Sequence, residues 1–104
     1  MSNKQDLDND FEIPRIILDQ LKASRVNGFP FFAYMGIKKY VMIDNTLMLH
    51  LPWNKKKYEI VDIIYDEGAD LYKIQFRAGL PLRVIDGVFF DQMAEIIARE
   101  VGVL

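Results

Sequence analysis

Hydrophobic and polar positions alternate with a period of two in some stretches of the chain and recur at spacings of three and four in others. The elements follow from that contrast. Between Tyr40 and Ile43, Val41 and Ile43 alternate with Tyr40 and Met42; beyond them, Leu47, Leu49 and Leu51 alternate with Met48 and His50. This is the period of strands with two distinct faces. Asp44-Asn45-Thr46 supplies the reversal, since Asp and Asn tolerate left-handed backbone angles and bond their own backbone. From Leu71 to Arg77 the alternation is as clean, with Tyr72, Ile74 and Phe76 on one face and Lys73, Gln75 and Arg77 on the other. The run from Tyr58 to Tyr65, interrupted only by Glu59 and Asp62, predicts a central strand buried on both sides for part of its length. Asp66-Glu67-Gly68-Ala69-Asp70 is a second, acidic reversal.

The helical spacing falls at the two ends. Ile13, Ile16, Ile17 and Leu21 make one stripe, with Asp10 as the expected N-cap, Pro14 in the first turn and Asn27-Gly28 as the stop. A second stripe, Phe89, Phe90, Met93, Ile96, Ile97 and Val101, predicts a helix from about Val88 to Val101, capped by Gly102. Phe29 to Met35 is dense in aromatics and reads as a first strand, broken by Gly36. Ile37-Lys38-Lys39 then forms either a turn or a bulged continuation of that strand. Trp53 to Lys57 reads as a basic loop. Ala78 to Asp86, with Gly79 and Pro81, reads as a loop held to the core by Leu80, Leu82, Val84 and Ile85. The sum is an α+β domain: an N-terminal helix, a four- or five-stranded antiparallel sheet and a C-terminal helix, with the helices on one sheet face and the other face uncovered.

Composition narrows the classes further. At 104 residues one core is feasible, and the polar residues 1–10 form an expected disordered tail ahead of a single domain over 11–104. Cysteine is absent and the formal charge is only −2, so no disulfide, no thiolate chemistry and no strong field toward nucleic acid is on offer. No apolar run approaches the ~20 residues of a membrane helix, which points to a cytoplasmic protein with no membrane partner.

Catalysis is poorly provisioned. His50 is the only histidine, and Ser2, Ser24 and Thr46 are the only aliphatic hydroxyls, so nucleophile, base and orienting acid do not assemble. No catalytic residue, cofactor or metal ligand is assigned. The carboxylates that could converge on a metal, Asp62 with Asp66, Glu67 and Asp70, read more simply as solvated turn acids. Two binding surfaces remain. If Leu47, Leu49 and Leu51 point to the helices, then Met48 and His50, together with Phe32, Tyr34, Tyr40 and Met42, lie on the uncovered face as a Met- and aromatic-rich patch for a protein partner. A homodimer through that face or through an edge strand is the self-contact version. The alternative is a nucleic-acid surface in which Trp53 stacks and Lys55, Lys56 and Lys57 neutralise phosphates, extended by Lys73 and Arg77. The bland reading of the same lysines is a solvated loop.

With these elements placed, the chain resembles a family of small uncharacterised proteins of bacteria, their phages and mobile elements. Phe31, Ala33, Gly36 and Lys38 stand where that family carries a stretch close to Phe-Ile-Ala-Met-Thr-Gly-Ala-Lys. Asp44-Asn45-Thr46-Leu47, Leu51-Pro52 with Asn54, Asp70-Leu71-Tyr72 with Phe76, and Gly87-Val88 with Asp91, Glu95, Ile96 and Gly102 fit the same pattern. The chain departs from it at Trp53, where a basic residue is usual, so any role for that charge passes to Lys55, Lys56 or Lys57. The resemblance implies a phage or mobile-element setting and a small cytoplasmic protein; it brings no reaction, ligand or catalytic residue with it.

Overall fold

The computed structural model describes residues 11–104, so the expected N-cap Asp10 and the tail ahead of it lie outside the described residues. The chain is α+β. In order it forms α1 (Glu12–Lys22), β1 (Arg25–Val26), β2 (Phe29–Pro30), α2 (Phe31–Met35), β3 (Lys39–Ile43), β4 (Thr46–His50), β5 (Ile60–Asp66), β6 (Leu71–Ala78), β7 (Leu80–Val88) and α3 (Met93–Val101). Strands β3 to β7 make one antiparallel sheet in chain order, while β1 and β2 make a separate two-residue ribbon. Among the described residues no helix is long and apolar enough to cross a membrane.

Register decides which side chains share a face. On one side of the sheet run the rows Tyr40, Leu49, Val61, Phe76, Arg83 and Met42, Leu47, Ile63, Ile74, Ile85. Leu47, Leu49, Val61, Ile63, Ile74 and Phe76 of these rows are fully buried and join Ile17 and Leu21 of α1, Phe31 of α2 and Met93 and Ile97 of α3 in one core cluster. Burying each such side chain contributes about 1.5–3 kcal/mol, which makes this layer the main support of the fold.

Four expectations need correction. Phe29 to Met35 is not a strand. Pro30 sets the entry and Gly36, at φ 71°, closes a one-turn helix whose Phe32 carbonyl accepts from both Gly36 and Ile37 N–H groups, so Phe31 and Met35 are buried together at a spacing of four. Asn27-Gly28 does not stop α1, which ends at Lys22; with φ of 51° and 82° the pair turns the β1–β2 ribbon, as a two-residue hairpin of this composition does. Ala78 to Asp86 is not a loop: Ala78 ends β6, and Leu80 to Asp86 make up most of β7, the longest strand. It is an edge strand, where Pro81 is tolerated, and its register shifts against β6 absorb the irregular positions. Finally, α3 begins at Met93, because a turn closed by Gln92 N–H to the Phe89 carbonyl precedes it; Phe89 and Phe90 are exposed rather than part of its buried stripe.

Candidate functional site

The second side of the sheet carries three rows. The first is Lys39, His50, Ile60, Arg77, Pro81; the second is Val41, Met48, Asp62, Gln75, Val84; the third is Ile43, Thr46, Ile64, Lys73, with Asp86 beyond it. Lys73 Nζ lies 3.8 Å from Asp86 Oδ1. Apolar side chains from β3, β4 and β5 thus form a patch of Val41, Ile43, Met48, Ile60 and Ile64, bordered by the polar positions of β6.

At the centre of this face sits an ion pair. Arg77 Nε donates to Asp62 Oδ2 at 2.7 Å and its Nη2 donates to Oδ1 at 3.3 Å, while Gln75 Nε2 donates to Oδ2 at 3.2 Å. Arg77 Nη2 also lies 3.5 Å from Met48 Sδ. Asp62 is only 5% exposed although it points away from the apolar core. A carboxylate taken out of water at this depth is held there by three donors, two of them from one planar fork. The bond to Asp62 raises the Arg77 pKa above its ordinary value.

Of the expected partner-binding residues, Met48 and His50 stand on this face. Tyr40 and Met42 do not, because they share rows with Leu49 and Leu47. Reading three residues in the reversal pairs Ile43 with Leu47, whereas the real turn is Asp44-Asn45 and pairs Ile43 with Thr46. That one-residue change swaps the two faces of β3, bringing out Val41 and Ile43, which a three-residue turn would point inward. Phe32 and Tyr34 belong to α2: Phe32 packs on Phe31 edge to face, and Tyr34 accepts from Asn27 Nδ2 and donates to the Val103 carbonyl.

The lysine loop joins β4 to β5 and is a built structure. Asn54, nearly fully buried, donates through Nδ2 to the carbonyls of Pro52 at 3.0 Å and Tyr58 at 2.7 Å and accepts from Tyr58 N–H at 3.1 Å. Tyr58 then anchors the loop, its ring 5.1 Å from that of Phe76 and its hydroxyl donating to Glu100 at 2.8 Å; burial, with help from that bond, raises its phenol pKa. Around this anchor Trp53 is 81% exposed and Lys55, Lys56 and Lys57 all reach solvent. The other two cations expected on this surface are committed elsewhere, Arg77 to Asp62 and Lys73 beside Asp86.

Topology also separates charge along the strands. Lys38, Lys39, Lys55, Lys56 and Lys57 sit at the end of the sheet where β3 and β5 begin, and Asp44, Asp66, Glu67 and Asp70 sit at the turns of the opposite end. The acids do not converge with Asp62, which is bound by Arg77, and Asp70 instead accepts from the Tyr65 hydroxyl. Comparison of the chain with protein-family models, with curated proteins and with solved structures gave no match.

Proposed function

We propose that this is a non-enzymatic binding protein that acts by protein contact through the open side of its sheet. The observation that carries the reading is the apolar patch Val41, Ile43, Met48, Ile60 and Ile64, bordered on its β6 side by a polar strip in which Arg77 closes on Asp62. Interfaces between proteins have this anatomy: an apolar centre in which Met and Arg are enriched, surrounded by polar groups. The resemblance noted in the sequence adds a phage or mobile-element setting, and the partner proposed for the face is a component of a host system.

Affinity capture from host extract, at low and high salt, tests the reading with the natural chain and with Ile64→Glu. Ile64 is the suitable position because it stands opposite Lys73, so the new carboxylate is accommodated in the fold; Met48 stands opposite Asp62, and an acid there would break the ion pair. The expected result is a protein retained at high salt by the natural chain and lost by a folded Ile64→Glu. Equal capture by both would contradict it.

A second reading has its own observation, the exposed Trp53 within a lysine loop pinned by Asn54. It makes the chain an accessory protein for single-stranded nucleic acid, stacking a base on the indole while Lys55, Lys56 and Lys57 neutralise phosphates. Quenching of the fluorescence of Trp53, the single tryptophan, by a short oligonucleotide, weakening steeply with salt and absent when the three lysines are changed to Gln, would support it. Unchanged fluorescence at low salt would dismiss it.

A further inference from the structure

The two edges of the sheet differ. The β7 edge carries Pro81, which has no N–H to offer, and register irregularities that interrupt its ladder. The β3 edge has neither. All five of its residues pair with β4 in unbroken register, and among the described residues no strand lies on its outer side. Tyr40, Val41 and Ile43 are 44%, 41% and 45% exposed. Beside its start opens a hollow of about 250 Å³ lined by Lys22, Pro30, Phe32, Ile37, Lys38 and Tyr40.

The two-residue turn makes Ile43 and Thr46 a hydrogen-bonded pair, so by the alternation of an antiparallel ladder Val41 and Lys39 also bond to β4. The N–H and C=O groups of Tyr40 and Met42 are then directed outward, unpaired. A strand of this kind accepts another strand, and one sequence fits it by symmetry: its own.

We propose that β3 is a self-pairing edge, along which two copies of the chain join antiparallel about a two-fold axis at Val41 to form one continuous sheet. In this register Tyr40 of each copy faces Met42 of the other and exchanges the outward hydrogen bonds, while Val41 meets Val41 as a non-hydrogen-bonded pair. The ladder ends with Lys39 of one copy opposite Ile43 of the other, and Lys38 and the turn residue Asp44 lie just beyond each of its two ends. The lysine-rich end of each sheet lies along the acidic end of its neighbour, so the charge separation within one copy is complementary to that of a second copy and to no uniformly charged strand. Side chains opposite one another in a sheet share a face, and the two open faces therefore merge into one surface of doubled width. The inference goes beyond the open-face reading, because pairing at the edge leaves Met48, Ile60 and Ile64 free for a different protein.

The absence of cysteine makes the test direct. A non-hydrogen-bonded antiparallel pair brings Cα atoms to about 4.5 Å, within the range a disulfide spans. Light scattering of the natural chain should give twice the single-chain mass. Val41→Cys, at a position already exposed in one copy, should become a disulfide-linked dimer under mild oxidation at concentrations where Trp53→Cys does not, and Val41→Lys, which places like charges face to face, should abolish the dimer with the circular dichroism unchanged. Ile64→Glu should leave the dimer intact, which separates this inference from the open-face reading. A single-chain mass at all concentrations, cross-linking of Val41→Cys no faster than of Trp53→Cys, or a dimer indifferent to Val41→Lys would each overturn it.

Discussion

Arg77 closes on Asp62 from the neighbouring strand, Nε to Oδ2 at 2.7 Å and Nη2 to Oδ1 at 3.3 Å, on the side of the sheet that faces away from the apolar core. The Asp62 side chain is 7% exposed and that of Arg77 23%, so the pair is asymmetric toward water. Removing the arginine strands the more buried partner. Arg77→Met should therefore cost about 3 kcal/mol in urea unfolding, near the lower end for breaking a buried pair. Asp62→Asn should cost less, about 1–2 kcal/mol, because the guanidinium retains access to water and the Asn oxygen still accepts. Equal costs would mean that the pair is not buried in the way its geometry indicates.

Asn54 holds the loop between β4 and β5 through three side-chain hydrogen bonds to Pro52 and Tyr58. Asn54→Ala should cost about 2 kcal/mol, since the Tyr58 amide and carbonyl lose their partner. Asn54→Asp should be no better: one oxygen still accepts from Tyr58 N–H, but the other faces two carbonyls where an N–H₂ group stood. Hydrogen exchange checks this locally, with the Tyr58 amide exchanging faster in both variants and the β6 amides unchanged.

The Tyr65 hydroxyl donates to Asp70 Oδ1, and that bond, reinforced by burial, raises the phenol pKa from 10.0 to about 12. Burial moves Tyr58 and Tyr72 in the same direction. A raised acid pKa means that the folded chain holds a proton which the unfolded chain has released, so the stabilisation is complete below pH 10 and is lost as pH rises through about 12. Titration of the tyrosinate absorbance should show a late step near pH 12 that disappears in Tyr65→Phe and moves to lower pH in Asp70→Asn. The denaturation midpoint of the natural chain should fall across the same interval.

Much of the sheet was legible because alternation is a local signal: Leu47 and Leu49 in β4, and Tyr72, Ile74 and Phe76 in β6, are buried as their period requires. So was the doubly buried stretch Val61 to Ile63 in β5. Faces are harder, since they depend on how many residues a turn contains, and Asp44-Asn45-Thr46 is compatible with two or three. The difference exchanged Val41 and Ile43 for Tyr40 and Met42 on the candidate site. Context also overrode propensity in α2, where aromatics that favour strands were bracketed by Pro30 and a left-handed Gly36, and in β7, where Pro81 is acceptable only because the strand is an edge. The Arg77–Asp62 pair was not legible at all: it joins residues fifteen apart, and only the register of β5 against β6 brings them together.

The most direct measurement is site-specific photocross-linking in host cells, with a photoreactive residue at position 48 on the open face and, in parallel, at position 95 on the exposed side of α3. A discrete protein adduct, larger than two copies of the chain, is expected from position 48, absent from position 95 and lost when Ile64→Glu is added. No adduct from position 48, or the same adducts from both positions, would contradict the reading of the open sheet face as the surface through which this protein works.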